Sequence, residues 1–224
     1  DQNWGLSVTV PVADRSHDHI HNHHGDQLDE KWEFRDLGDV RIVGRRQWSL
    51  ESNGSLGFAG VTFGTKLPTG HFDVKNRERD EAERSLQPGS GTTDLILGAY
   101  FSWVHPESGF SWFAQAQMQR PVAERQDYRP GSRLAVDLGL RKELNPRVGL
   151  MLQLNGLLAG RDRGDEAEAE DSGQRAVQLS PGISFSPMRG FQLYGFVQLP
   201  LYQKVNGVQL TAEKGFTAGV SYRF

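Results

Sequence analysis

The sequence predicts an all-β fold: a single domain over residues 1–224 forming an antiparallel up-and-down transmembrane β-barrel of about ten strands, or twelve if a hairpin precedes it. Three observations predict it. Apolar and polar residues alternate at the two-residue period of a strand, connections alternate between short and long, and no apolar run approaches the ~18–20 residues that a membrane helix needs. The last ten residues, GFTAGVSYRF, carry the clearest alternation. Phe216, Ala218, Val220, Tyr222 and Phe224 fall on one face, and Thr217, Gly219, Ser221 and Arg223 on the other. A lipid-facing barrel wall has this pattern, and so does a soluble antiparallel sheet with its faces reversed, so this strand alone leaves both open.

Candidate strands lie near residues 3–12, 37–48, 56–66, 93–104, 110–120, 132–142, 147–158, 175–186, 191–203 and 214–224. Leu134, Val136, Leu138 and Leu140 oppose Arg133, Asp137 and Arg141, while Trp112, Ala114, Ala116 and Met118 oppose Ser111, Gln115, Gln117 and Gln119. Charged or amide side chains opposite the greasy faces need water or partners. Long polar segments at 13–36, 67–92, 121–131, 159–174 and 204–213 take turns with short ones at 51–55, 105–109, 143–146 and 187–190. The short ones hold turn residues, as in Asn53-Gly54, Asn145-Pro146 and Arg189-Gly190. Outer loops and periplasmic turns of a barrel differ in length in this way, whereas Greek-key crossovers of a sandwich do not. Trp4, Trp48, Trp103, Tyr202 and Tyr222 stand near strand ends, where interfacial aromatics gather.

Composition is compatible with this reading. Charged residues make up 24% of the chain, which a barrel tolerates because only alternate strand residues meet lipid. With 25 basic against 28 acidic residues there is no overall field for nucleic acid. The chain has no cysteine, so disulfides and thiolate metal sites are excluded. Asp1 opens directly into strand-like sequence, and an export signal is therefore expected to have been removed.

Several segments resemble one family of Gram-negative outer-membrane barrels, labelled transporters or meta-pathway phenol-degradation-like proteins. They are SHDHIHNHHG at 16–25, LGDVRIVGR at 37–45, GTKLPTG at 64–70, LQPGSGTTDLILGAY at 86–100, LSPGISF at 179–185 and YGFVQLPLYQKVNGVQLT at 194–211. The resemblance implies a barrel that moves small molecules, hydrophobic or aromatic ones among them. The terminal Phe224 resembles the signal read by the barrel-assembly machinery. Both resemblances imply a place in the bacterial outer membrane, among lipid and lipopolysaccharide, with long loops outside and both termini periplasmic.

Five of the seven histidines, His17, His19, His21, His23 and His24, sit within eight residues. Imidazole suits zinc, copper or nickel, and spacing of two on extended chain puts His17, His19 and His21 on one side. The alternative is a solvated polar loop that binds metal only adventitiously. Leu67-Pro68-Thr69-Gly70 and Gln87-Pro88-Gly89-Ser90-Gly91 bracket one long connection with the rigid and flexible elements needed to fold it over or into a barrel mouth. Asp39, Arg41, Asp94, Gln115, Gln117, Arg133, Asp137, Arg141, Gln153, Gln198 and Arg223 are the expected lumen-lining residues. Charges of both signs there either pair across and plug a narrow interior or line a polar channel. Three functions fit: a narrow channel or transporter for small molecules or metal ions, a non-conducting barrel whose loops bind metal or a partner, and an outer-membrane hydrolase using Asp14, Ser16, Asp18 and the histidines.

Overall fold

A computed structural model describes residues 3–223 apart from 24, 25, 76–80, 83, 85 and 210, and for residues 17–32 it describes the backbone alone. Ten strands hydrogen-bond into one antiparallel sheet: β1 (Trp4–Thr9), β4 (Arg41–Ser52), β5 (Ser55–Lys66), β6 (Asp94–His105), β7 (Phe110–Pro121), β8 (Arg133–Asn145), β9 (Val148–Ala159), β10 (Gln174–Met188), β11 (Phe191–Val205) and β12 (Gly215–Tyr222). No helix occurs among the described residues. Strands of 12 residues reach ~40 Å at ~3.3 Å per residue, enough to cross a bilayer at a tilt.

Period-two alternation sets the faces. In β8, Leu134, Val136, Leu138 and Leu140 are exposed while Ala135, Asp137 and Arg141 are partly covered. Leu150, Leu152, Leu154 and Leu158 of β9, Leu95 and Leu97 of β6, and Phe216, Val220 and Tyr222 of β12 are exposed in the same way. Apolar side chains on the open face and polar ones on the sheltered face make an inside-out sheet, which is what lipid outside requires. All four short turns lie at one end, and at Asn53-Gly54 both residues take positive φ, 47° and 73°, the geometry of a two-residue hairpin.

Two expectations need correction. Residues 13–36 are not a loop: β2 (Val12–His23) pairs with β3 (Asp26–Leu37) from Val12↔Leu37 to His23↔Asp26. This hairpin continues the β1–β4 ladder after a break at Val10-Pro11 and Gly38–Val40. Pro11 has no N–H to donate, and only its carbonyl is used, accepting from Gly38 N at 2.9 Å. The sheet is also not closed, because β1 and β12, the two shortest strands of the sheet, pair only with β4 and β11.

Candidate functional site

Five consecutive strands meet at the long-loop end of the sheet. Arg41 of β4 lies opposite Lys66 of β5, Lys66 opposite Asp94 of β6, and Gln119 of β7 opposite Arg133 of β8. Side chains from all five strands line one cavity of about 520 Å³. Its other walls include residues 11–15 and Asp39 at the base of the β2–β3 hairpin, Arg84, Gln87, Pro88 and Ser90 from the connection between β5 and β6, Tyr128 and Pro130 after β7, and Asp162 after β9. The sheet therefore curls around this space, and the loops roof it. Ile96, on the inner face of β6, is only 1% exposed.

A buried charge cluster pins the 67–93 connection to the wall. Lys66 Nζ lies 3.0 Å from Asp39 Oδ2 and 3.3 Å from Asp94 Oδ2, and it also donates to Ser90 Oγ. Asp39 accepts from Gly70 N at 3.1 Å and from Ser90 N at 2.9 Å, one from each limb of the loop. Thr92 Oγ1 donates to Asp94 Oδ1 at 3.0 Å, and Gln119 Nε2 caps Asp94 Oδ2. The limbs cross where both lack a side chain: a Cβ on Gly70 would stand 2.8 Å from Gly89 Cα. Burial pushes the Asp39 carboxyl up, but the Ser90 N–H and the Lys66 ammonium outweigh it and hold the group below the usual carboxylate range.

Arg84 holds the middle of the roof. Its guanidinium lies 4.6 Å from the Phe72 ring and 4.8 Å from Tyr128, and it donates to the carbonyls of Phe72, Ser90 and Arg125. Such cation–π contacts are worth ~0.5–2 kcal/mol each. Its Nε is buried without an acceptor. Tyr128 donates to Asp162 Oδ2 at 2.7 Å, and Gly131 N donates to Oδ1 at 2.7 Å, so two long loops are tied together. Burial and the Asp162 carboxylate push the Tyr128 phenol up, which keeps it a donor.

Below the cavity a polar belt runs in register across six strands: Gln47, Gly60, Tyr100, Gln115, Asp137 and Asn155. Tyr100 reaches across Gly60 to donate to Gln47 Oε1 at 3.1 Å. Gln115 Nε2 and Asn155 Nδ2 donate to the two oxygens of Asp137 at 2.9 and 2.8 Å, and Ser180 donates to Asn155. There is no room for a Cβ on Gly60 beneath the Tyr100 ring, nor on Gly139 beneath Phe113, Gly182 beneath Phe196 or Gly219 beneath Tyr194. Four aromatic rings thus lie against the inner wall because the residue under each is glycine.

The family described as "Putative MetA-pathway of phenol degradation" matches residues 3–217. The chain belongs to this family. Among solved structures it is similar to an outer membrane channel from Pseudomonas putida F1, with a TM-score of 0.66, 14% identity, and 98% of this chain and 84% of that chain covered. At that identity the likeness establishes the fold, a β-barrel architecture of the outer-membrane kind. No curated protein matches the chain.

In this phenol-degradation family member the residues expected to line a lumen divide into groups. Gln115 and Asp137 join the polar belt; Asp39 and Asp94 are sealed into the Lys66 cluster; Arg41 and Arg133 face the roofed cavity. Arg141 lies 3.6 Å from Glu143 and packs beside Gly149. Gln117, Gln153 and Gln198 are partly covered on the same parity as these, and Arg223 N donates to Gly190 O at the turn end. His17, His19, His21 and His23 occupy alternate positions of β2, opposite Trp32, Glu30, Leu28 and Asp26. Their side chains, and His24 altogether, lie outside the described residues. Among the described residues no group of three His, Asp or Glu side chains is placed to hold a metal. Lys66, Arg84, Thr92, Tyr128 and Asp162 are not singled out by the sequence as lining residues, and of these only Lys66, a strand-end cation of inward parity, carries a signal there.

Proposed function

We propose that this protein is a narrow outer-membrane channel for small molecules, with the inner face of the sheet as its passage and the roofed cavity as its outer entrance. One observation carries the reading: Arg41, Lys66, Asp94, Gln119 and Arg133, from five successive strands, line a single cavity of about 520 Å³ instead of packing as a dry core. The rings of Tyr100, Phe113, Tyr194 and Phe196 lie over glycines of the inner wall and offer apolar faces to a small aromatic or apolar solute. The similar structure is itself an outer membrane channel, and the family description concerns phenol degradation; both support this reading. In this orientation the β2–β3 hairpin and the roof face outward, the short turns and both chain ends face the periplasm, and lipid and lipopolysaccharide surround the leucine face. Phe224 then serves the barrel-assembly machinery.

Proteoliposomes containing the purified protein should swell in arabinose and not in the trisaccharide raffinose. Absence of swelling in any solute, with the protein folded and inserted, would make it a sealed barrel instead.

A further inference from the structure

The carboxylates that line the outer cavity are already occupied, while two of its guanidiniums are not. Asp39 is bound by Gly70, Ser90 and Lys66; Asp94 by Lys66, Thr92 and Gln119; Asp162 by Tyr128 and Gly131. Asp14, the remaining acid of the lining, sits exposed at the rim. Arg41 and Arg133 line the same cavity, are exposed within it, and have no hydrogen-bond or ion-pair partner among the described residues. Arg84 adds its buried, acceptorless Nε from the roof. Four residues deeper on β4, and of the same parity as Arg41, stands Arg45, also without a partner among the described residues. The acid of the polar belt below, Asp137, has both oxygens taken by neutral amide donors.

A solute descending this route meets guanidiniums that have no partner among the described residues and carboxylates that are satisfied, and further down the rings of Tyr100 and Phe113. Guanidinium forks fit a planar carboxylate in two-point contact. We propose that the roofed cavity is a recognition site for small carboxylates, with Arg41 and Arg133 as its anion-binding groups, and that it makes the passage anion-selective. The inference rests on the channel reading above but concerns the site, so the two are tested by separate measurements.

Benzoate is the probe. Calorimetric titration of the purified full chain should give saturable benzoate binding, weakened about tenfold by Arg41→Gln or Arg133→Gln and abolished in the double variant. Arg120→Gln, outside the cavity, should bind as the parent does. Reversal potentials under a KCl gradient should favour chloride in the parent and move towards zero in the double variant. Benzoate binding that is absent, or unchanged in the double variant, overturns the site whether or not current flows. Selectivity for potassium in the parent overturns it as well. Benzoate binding without any conductance would uphold the site and remove the channel reading instead. Heat-modifiable migration of each variant confirms that it is folded.

Discussion

Replacing Lys66 with methionine removes the one cation that, among the described residues, pairs with two buried carboxylates. Lys66 is 5% exposed, Asp39 8% and Asp94 1%, so water cannot take the ammonium's place without moving the roof. Deleting one member of a buried, hydrogen-bonded charge cluster costs about 3–5 kcal/mol. At ~1.4 kcal/mol per decade, the docked-to-undocked ratio of the 67–93 connection should fall by roughly two to three and a half orders of magnitude. Trypsin added outside proteoliposomes should then cut at Arg84, which in the parent is clamped between Phe72 and Tyr128. Single-channel current should also become larger and noisier. The neutral triple variant Lys66→Met, Asp39→Asn, Asp94→Asn should recover most of the protection, because it strands no buried charge. If Lys66→Met resisted trypsin and conducted as the parent does, the cluster would not be what holds the roof.

Leu138→Arg puts a charge on the exposed face of β8 and should cost about 2–4 kcal/mol and impair insertion, whereas Gln117→Arg, of inward parity, should be milder; equal damage would contradict the face assignment. Asp39 has a carboxyl held below its ordinary value, so its support of the roof is complete above ~pH 4 and is lost as pH falls through the lower folded value. Current flicker should therefore rise only below about pH 4 and be independent of pH in Asp39→Asn; release already at pH 6 would contradict the pairing. The tract His17, His19, His21, His23 and His24 is expected to bind zinc, copper or nickel and to lose it below about pH 6, where protons compete for the imidazoles. Calorimetry that gave one weak affinity for the parent and for the variant with all five changed to alanine would remove the specific site.

Strand positions were legible in the sequence because each strand separates two solvents, and Leu134, Val136, Leu138 and Leu140 carry that boundary at every second residue. The β2–β3 hairpin was not, since SHDHIHNHHG is polar on both faces and shows no such contrast. The bracketing Pro-Gly segments at 67–70 and 87–91 gave away a folded-over loop, and Gly70 and Gly89 do cross. The Lys66 cluster depends on register, on which residue of β5 stands opposite Asp94, and alternation alone does not supply that. Arg84, Tyr128 and Asp162 meet through three aperiodic loops, for which one sequence carries no pairing signal. An open sheet leaves unpaired edges that closure into a ring would remove, yet β1 and β12 remain edges here.

The chain has no cysteine, so single cysteines can be placed without background. The most direct test of a passage along the inner face is thiol modification during single-channel recording. A charged methanethiosulfonate reagent should reduce the current through Gln115→Cys and Asp137→Cys, and leave Leu138→Cys, one residue away on the lipid face, unaffected. Block at Leu138→Cys with Gln115→Cys unaffected, or no current to block in a folded, inserted protein, would contradict the account.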